Sequence, residues 1–311
     1  MDGLRRKLPS PGVLFVFEAA ARHENFTRAA EELNVTQPAV SRALAGLERY
    51  LGTRLFQRGK PGARLTEDGK LLKNAVIEGF SGIEAALDRL AERQTGKATI
   101  TLSVSTAFTT HWLMPRISRF QQAFPNVDLR FQLIAGPVAG PMGGVDIAMR
   151  YAAPGDREGR YVMHEAYAPV CAPDYLAGLS GEGAALIRLD GERSTGLREH
   201  VARAAPVAPT QLSFSDYSVV LQAALVGQGI AAGWLNIVAH WLSEGQLVPA
   251  LPVLVRPGRV CRLLTRTGGE HDETVAAVAD WLLQAMQDDM SAIAARHPAL
   301  DLGGILQEDP A

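Results

Sequence analysis

Apolar positions in the first part of the chain recur at helical spacing, in short blocks separated by breaks. Residues 11 to 22 pattern as one helix. In a second, short one, Ala29, Ala30 and Leu33 form the apolar side, Thr27 is the expected cap, and Asn34-Val35 is the break. Thr36 should cap a third helix, with Pro38 tolerated in its opening turn and Val40, Leu44, Leu47 and Leu51 on one side. The opposite side offers Gln37, Ser41 and Arg42, whose donors and acceptors suit base edges in a major groove. LFQRGKPGARLT then reads as two short strands around a Gly-Pro turn. A short helix, a tight turn, a longer helix with one wet face and a basic hairpin describe a winged helix-turn-helix.

Thr66 begins a long helix with Glu67 and Asp68 in its first turn, where the helix dipole favours acids. Leu72, Val76, Gly79, Ile83, Ala86 and Leu90 follow in steps of four and three, the period of a coiled-coil seam. Such a seam fits either a partner helix or packing on its own protein. From Lys97 the period changes. ATITLSVST, VDLRFQLIA and VDIAMRY read as strands around a helix, TTHWLMPRISRFQQAF, as in an open parallel sheet. A second set of strands follows a crossover: APVCAP, ALIRLD, QLSFSD, GIAAG and RVCRLLTRT, with helices around REHVARAA, SVVLQAALVG and NIVAHWLSEG. The chain then returns to the first lobe with a helix near HDETVAAVADWLLQAM.

The expected organisation is a winged helix-turn-helix over 1–66, a linker helix over 67–95, a C-terminal α/β domain over 96–290 and a tail over 291–311. The α/β domain consists of two Rossmann-like lobes, a periplasmic-binding-protein-like plan. The residues from Gln287 onward, rich in small and polar side chains, are expected to be partly disordered.

Charge sharpens this division. The net charge of −2 conceals 11 Lys and Arg against 6 Asp and Glu in residues 1–66, which leaves 20 against 27 in the rest. A basic front neutralises phosphates, and an acidic remainder limits indiscriminate adhesion. No run of eighteen apolar residues and no signal-peptide pattern is present, so a cytoplasmic location is expected. Cys171 and Cys261 lie in strand-like runs and read as buried hydrophobes in a reducing compartment. The seven histidines lack metal-binding spacing, and no phosphate or dinucleotide loop follows a strand, so neither an enzyme nor a cofactor is expected.

The segments FEAAARHENFTRAAEELNVTQPAVSRAL, GLERYLGTRLFQR and RLTEDG, in order, resemble the LysR-type transcriptional regulators, in particular their glycine-cleavage-activator-like branch. Weaker resemblance continues to about Leu283 through HWLMPRISRF, VDIAMRY and ALVGQGIAAG. It implies a regulator that binds double-stranded DNA and a small-molecule effector. On this reading Gln37, Ser41 and Arg42 approach bases and backbone, Thr27, Arg28, Thr36 and Pro38 border them, and Arg58, Lys60 and Arg64 of the wing meet phosphates. It further implies a homodimer paired through the linker helix, association of dimers into a homotetramer, and action on RNA polymerase at the promoter.

Ligands of open α/β sheets bind beyond the carboxyl ends of strands. Ser105, Thr106 and Thr109 stand at one such end, Arg150 and Tyr151 at another, and Ser215, Asp216 and Tyr217 at a third in the other lobe. These are the expected effector residues, for a small polar or anionic metabolite. The plainer alternatives are that Thr109 only caps a helix and that Arg150 pairs with Asp146. Where relatives carry a helix, this chain has AGPVAGPMGG, whose prolines and glycines disfavour one. The rival to a regulator is an intracellular small-molecule-binding protein without regulatory DNA binding.

Overall fold

The computed structural model describes residues 8–58, 63–95, 97–134, 142, 144–178, 183–191, 196–269 and 271–308. The chain divides into two compact units, Met1–Ala91 and Glu92–Ala311.

The first unit opens with α1 (Val13–His23), α2 (Phe26–Glu32) and α3 (Gln37–Leu51), followed by β1 (Phe56–Arg58), β2 (Ala63–Leu65) and α4 (Glu67–Thr95). Phe17, Ala20, Ala30, Val40, Leu44, Leu47 and Phe56 close one core among them. The expected cap of α2 is corrected. Asn25, not Thr27, accepts from the backbone N–H groups of Thr27 and Arg28, so the cap lies two residues earlier. Thr36 does sit at the cap position of α3, but its side chain makes no cap bond. Asn34 turns the chain between the helices with φ of 53°, a left-handed conformation that Asn tolerates. β1 and β2 pair antiparallel, Phe56 opposite Leu65. The turn joining them, including Lys60, lies outside the described residues.

Thr66 caps α4, its hydroxyl accepting from Gly69 N at 3.0 Å. Gly69 packs so closely on the start of the wing that a Cβ there would collide with the Leu55 carbonyl. The seam expected along α4 divides into two parts. Leu72 and Val76 of that seam pack, together with Phe80, into the head's own core, whereas Gly79, Ile83, Ala86 and Leu90 are exposed, as is Leu87 beside them.

Among the described residues the strands of the second unit fall into two groups. One is ordered β4-β3-β5-β12-β6, from β3 (Ala98–Ser105), β4 (Val127–Ile134), β5 (Ile147–Ala152), β6 (Arg160–His164) and β12 (Val260–Thr265). The other combines β7 (Tyr167–Cys171), β8 (Ala184–Leu189), β9 (Val207–Phe214), β10 (Ala231–Trp234) and β11 (Val248–Pro249); a parallel bridge between Leu186 and Ile230 joins β8 to the β10-β7-β11 group. The run RVCRLLTRT is therefore reassigned. As β12 it crosses back and pairs antiparallel with both β5 and β6 in the first sheet. The helix expected over TTHWLMPRISRFQQAF is also corrected: a π turn over Phe108–Leu113 and a 3-10 turn over Met114–Arg116 precede α5 (Ile117–Ala123). Pro115, which has no backbone N–H to donate, lies in that 3-10 turn.

The remaining helices are α6 (Pro173–Ala177), α7 (Leu197–Ala204), α8 (Tyr217–Leu225), α9 (Leu235–Glu244) and α10 (Asp272–Arg296). The expectation of a partly disordered tail does not hold for residues 287–308. Met290 and Ile293 of α10, then Leu300 and Ile305, are buried in the same core as the first sheet, because the small and polar residues there alternate with apolar ones that face it. The segment AGPVAGPMGG, apart from Met142 and Gly144, lies outside the described residues.

Candidate DNA interface and effector cleft

The side of α3 opposite Val40, Leu44 and Leu47 leaves Gln37 and Arg42 exposed and Ser41 half-buried. Arg42 bends back only as far as the Pro38 carbonyl, with Nε at 3.3 Å. Thr27, Arg28, Thr36 and Pro38 are exposed as well, as is Arg64 on β2. Two arrangements that the sequence did not disclose hold this surface in place. Glu48 on α3 accepts from the backbone N–H groups of Leu55 at 2.8 Å and Phe56 at 3.1 Å, fixing the base of the wing to the presented helix. Arg22 on α1 forks between Glu18 at 2.9 Å and Glu32 at 2.5 Å, and His23 meets the second Glu32 oxygen at 2.6 Å. Hydrogen bonds from Arg22 and then His23 hold the Glu32 carboxyl down at about 2, so α1 and α2 are clipped together by charge throughout the neutral range.

In the second unit the crossovers between the lobes run side by side. Glu165 N donates to Arg259 O at 2.9 Å, and the Arg259 guanidinium forks onto the Glu165 carboxylate at 2.7 and 2.5 Å. Asn236, at the start of α9, donates to the Tyr151 hydroxyl at 2.7 Å and so connects the lobes. His111 makes a second connection. Trp241 Nε1 donates to its Nδ1 at 3.2 Å, which leaves the proton on Nε2 to donate to Ser218 O at 3.2 Å. Burial lowers the His111 pKa, consistent with this neutral tautomer.

The expected effector residues divide according to what they already bind. Ser105 accepts from Phe108 N at 3.1 Å, and Thr109 donates to Ser105 O at 3.2 Å, so both serve the turn after β3. Thr106 beside them is half-buried, and Ser215 is exposed. Asp216 is the cap of α8, accepting from Ser218 N at 2.7 Å. Tyr217 points into its own lobe, donating to Ala232 O and accepting from Trp234 N. Arg150 does not end its strand. It lies within β5, is 5% exposed, and donates to Ser103 O, Ser103 Oγ and Met149 O. Asp146 is not its partner, since that carboxylate takes Arg266 at 2.6 Å and Thr101 N at 2.9 Å. Sequence reading missed His111, Asn236, Glu165 and Arg259, because each acquires its role from a partner far away in the chain.

Cys171 and Cys261 are both fully buried and free, on different sheets. Burial pushes the Cys171 thiol up to about 11 and Cys261 higher still, which keeps both protonated.

Two known sequence families account for most of the chain. Residues 13–70 match the bacterial regulatory helix-turn-helix protein, lysR family, and residues 93–287 match the LysR substrate binding domain. The chain belongs to the LysR family. It is 34% identical over 295 residues to the glycine cleavage system transcriptional activator of Escherichia coli K12, covering 90% of this chain and 95% of that one. It is likewise 34% identical over 259 residues to the activator AmpR of Rhodobacter capsulatus, covering 79% and 87%. Among solved structures, ArgP from Mycobacterium tuberculosis aligns over 89% of this chain and 97% of its own at 18% identity, with a TM-score of 0.49. LysR proteins are transcription regulators, not enzymes, with a DNA-binding head and a two-lobed effector-binding domain. The family match favours this reading over a small-molecule-binding protein without regulatory DNA binding. Among the described residues no helix is long and apolar enough to cross a membrane.

Proposed function

We propose that this LysR regulator reads a pseudo-palindromic site near a promoter by laying α3 in the major groove, with Gln37, Ser41 and Arg42 toward the bases. Thr27, Arg28, Thr36, Pro38, Arg58, Lys60 and Arg64 take the flanking phosphates. The observation that carries the reading is the division of α3: Val40, Leu44 and Leu47 are buried while Gln37 and Arg42 stand in solvent. A polar face on a helix whose other face is locked into a core is available to a duplex without unfolding anything. The exposed Ile83, Leu87 and Leu90 on α4 support pairing of two heads into a homodimer, and two dimers form the tetramer.

The effector in this proposal is a small polar or anionic metabolite taken between the lobes, in the cytoplasm where the DNA is. Thr106, the remaining donor of Ser105, Thr109, Tyr151 and Ser215 would face it, and the Asn236–Tyr151 and His111–Ser218 bonds would change as the lobes shift. Such a ligand alters contact with RNA polymerase only by binding one arrangement better than another.

The decisive experiment titrates the full chain with an operator from its own upstream region and with a scrambled duplex, at several salt concentrations. Tighter binding to the operator and a steep loss of affinity with salt are expected. Equal affinity for the two duplexes would reject sequence-specific reading.

A further inference from the structure

The substrate-binding family match ends at residue 287, yet the residues that follow build a pocket of their own. The last two turns of α10 form one wall and the loop 298–307 the other, around a volume of about 460 Å³. That size suits a small organic molecule. Met290, Leu300 and Ile305 line it and belong to the buried core, while Ser291, Asp301 and Gln307 stand on its solvent side. Its lining includes none of the residues expected around the cleft effector. The loop itself is anchored on its far side. Ile305 O accepts from His164 N at 2.9 Å and from the Tyr161 hydroxyl at 2.9 Å, and Glu308 binds Arg262 and Arg157.

Among the described residues lining this pocket, Asp301 alone is charged. Its Oδ1 accepts from Gly303 N at 2.9 Å, which holds the carboxylate in place, and no cation pairs with it among the described residues. Arg256, which reaches Gly303 O at 2.5 Å, and Arg296, which reaches Ser243 O at 3.2 Å, adjoin the pocket without lining it. A second feature has the same sign. α10 ends at Arg296, between the lining residues Ala294 and Pro298, and the carbonyls of Ala294, Ala295 and Arg296 accept no backbone N–H among the described residues. Pro298 has no N–H to offer them. Orphan carbonyls at the end of a long helix carry the negative pole of its dipole and favour a cation.

We propose that this pocket binds a small organic cation, an ammonium on an apolar body, at a site distinct from the interlobe cleft. The apolar body lies against Met290, Leu300 and Ile305, where burial from water favours it, and the ammonium meets Asp301. An aromatic body gains further from the Met290 thioether. Because the pocket exists only while the loop is docked, such a ligand holds residues 298–307 against the edge of β6.

The test titrates the full-length protein with 2-phenylethylammonium and with the uncharged 2-phenylethanol, at matched ionic strength. The amine should bind roughly ten-fold more tightly, the worth of one charge-assisted contact. Asp301→Asn keeps an acceptor for Gly303 N and should reduce the amine to the affinity of the alcohol. If that variant does not fold, the comparison of amine with alcohol on the unsubstituted chain decides. Ala294→Phe, placed on an exposed position of α10, should fill the pocket and abolish binding of both. A readout of the loop itself is hydrogen exchange of the His164 amide, whose acceptor is Ile305: amine at about ten times its Kd should slow it roughly ten-fold. Thr106→Ala, in the cleft, should change none of these results, so failure here and failure of the cleft reading are distinguishable. Equal affinity for amine and alcohol, undiminished binding in Ala294→Phe, or a His164 amide that the amine leaves unaffected would overturn the proposal.

Discussion

Trp112 donates from its indole Nε1 to the Asp289 carboxylate at 2.7 Å, joining the turn after β3 to the last helix across 177 residues of chain. The same carboxylate takes Arg116 at 2.5 Å, and the Arg116 guanidinium lies 4.7 Å from the centre of the Trp112 ring. Three groups thus satisfy one another in a buried place, at a point the sequence gives no reason to connect. Asp289→Ala would leave a mostly buried guanidinium unpaired, and a loss of about 3 kcal/mol is expected. All four tryptophans belong to the second unit, so their fluorescence during urea unfolding reports this loss directly. An unchanged midpoint would show that the ion pair contributes nothing net.

Glu48 anchors the wing by accepting two backbone N–H groups. Glu48→Ala frees both, at a cost of about 1–3 kcal/mol to the head. Glu48→Gln keeps one acceptor oxygen and should recover part of this. Circular dichroism of the unfolding transition measures the stability, and operator affinity should fall with it, since the wing base loses its tie to α3.

Arg42 tests the reading helix itself. Arg42→Ala removes an exposed side chain whose one hydrogen bond among the described residues is to Pro38 O, so folding should be unaffected. Loss of a base contact should cost about 1–3 kcal/mol of operator affinity and relax preference at one base pair. Loss of a phosphate contact would weaken all duplexes alike, and unchanged affinity for both would exclude Arg42 from the interface.

The bonds of His111 predict a pH dependence in the second unit. Burial lowers its pKa from 6.5, and His240 is shifted in the same direction chiefly by burial. The unfolded chain therefore takes up protons that the folded chain refuses. Stability is full above the unfolded value of 6.5 and falls as pH drops below it, by up to about 1.4 kcal/mol per pH unit for His111 and by less for the more exposed, solvent-screened His240, until the folded form also protonates. Tryptophan-detected unfolding between about pH 7 and 5 should show the decline. His111→Gln should reduce the slope to the part contributed by His240, and an equal slope in that variant would assign the effect elsewhere.

Local periodicity was enough to place α1, α2 and α3, the strand character of β3, β5 and β12, and the two buried cysteines, because each depends on neighbours within a few residues. It located the exposed face of α3 for the same reason: a helix with Val40, Leu44 and Leu47 inward must turn Gln37 and Arg42 outward. It erred at Thr27, where Asn25 was an equally good cap two residues earlier, and at TTHWLMPRISRFQQAF, where a helical apolar pattern concealed a break.

What only the tertiary structure decided is pairing over long separations. Whether β12 joins the first sheet or the second, whether Glu48 is a surface acid or the anchor of a wing, and whether Arg150 opens to a cleft or lies buried beside Arg262 all depend on which segment arrives opposite. The sequence by itself determined the kinds of element and the face each must hide, since those follow from side-chain spacing along one stretch of backbone. The tail shows the boundary most plainly: its small and polar residues suggested disorder, yet Leu300 and Ile305 find the core and Glu308 finds Arg262. Burial and charge compensation there come from residues far away in the chain, and a linear pattern carries no record of them.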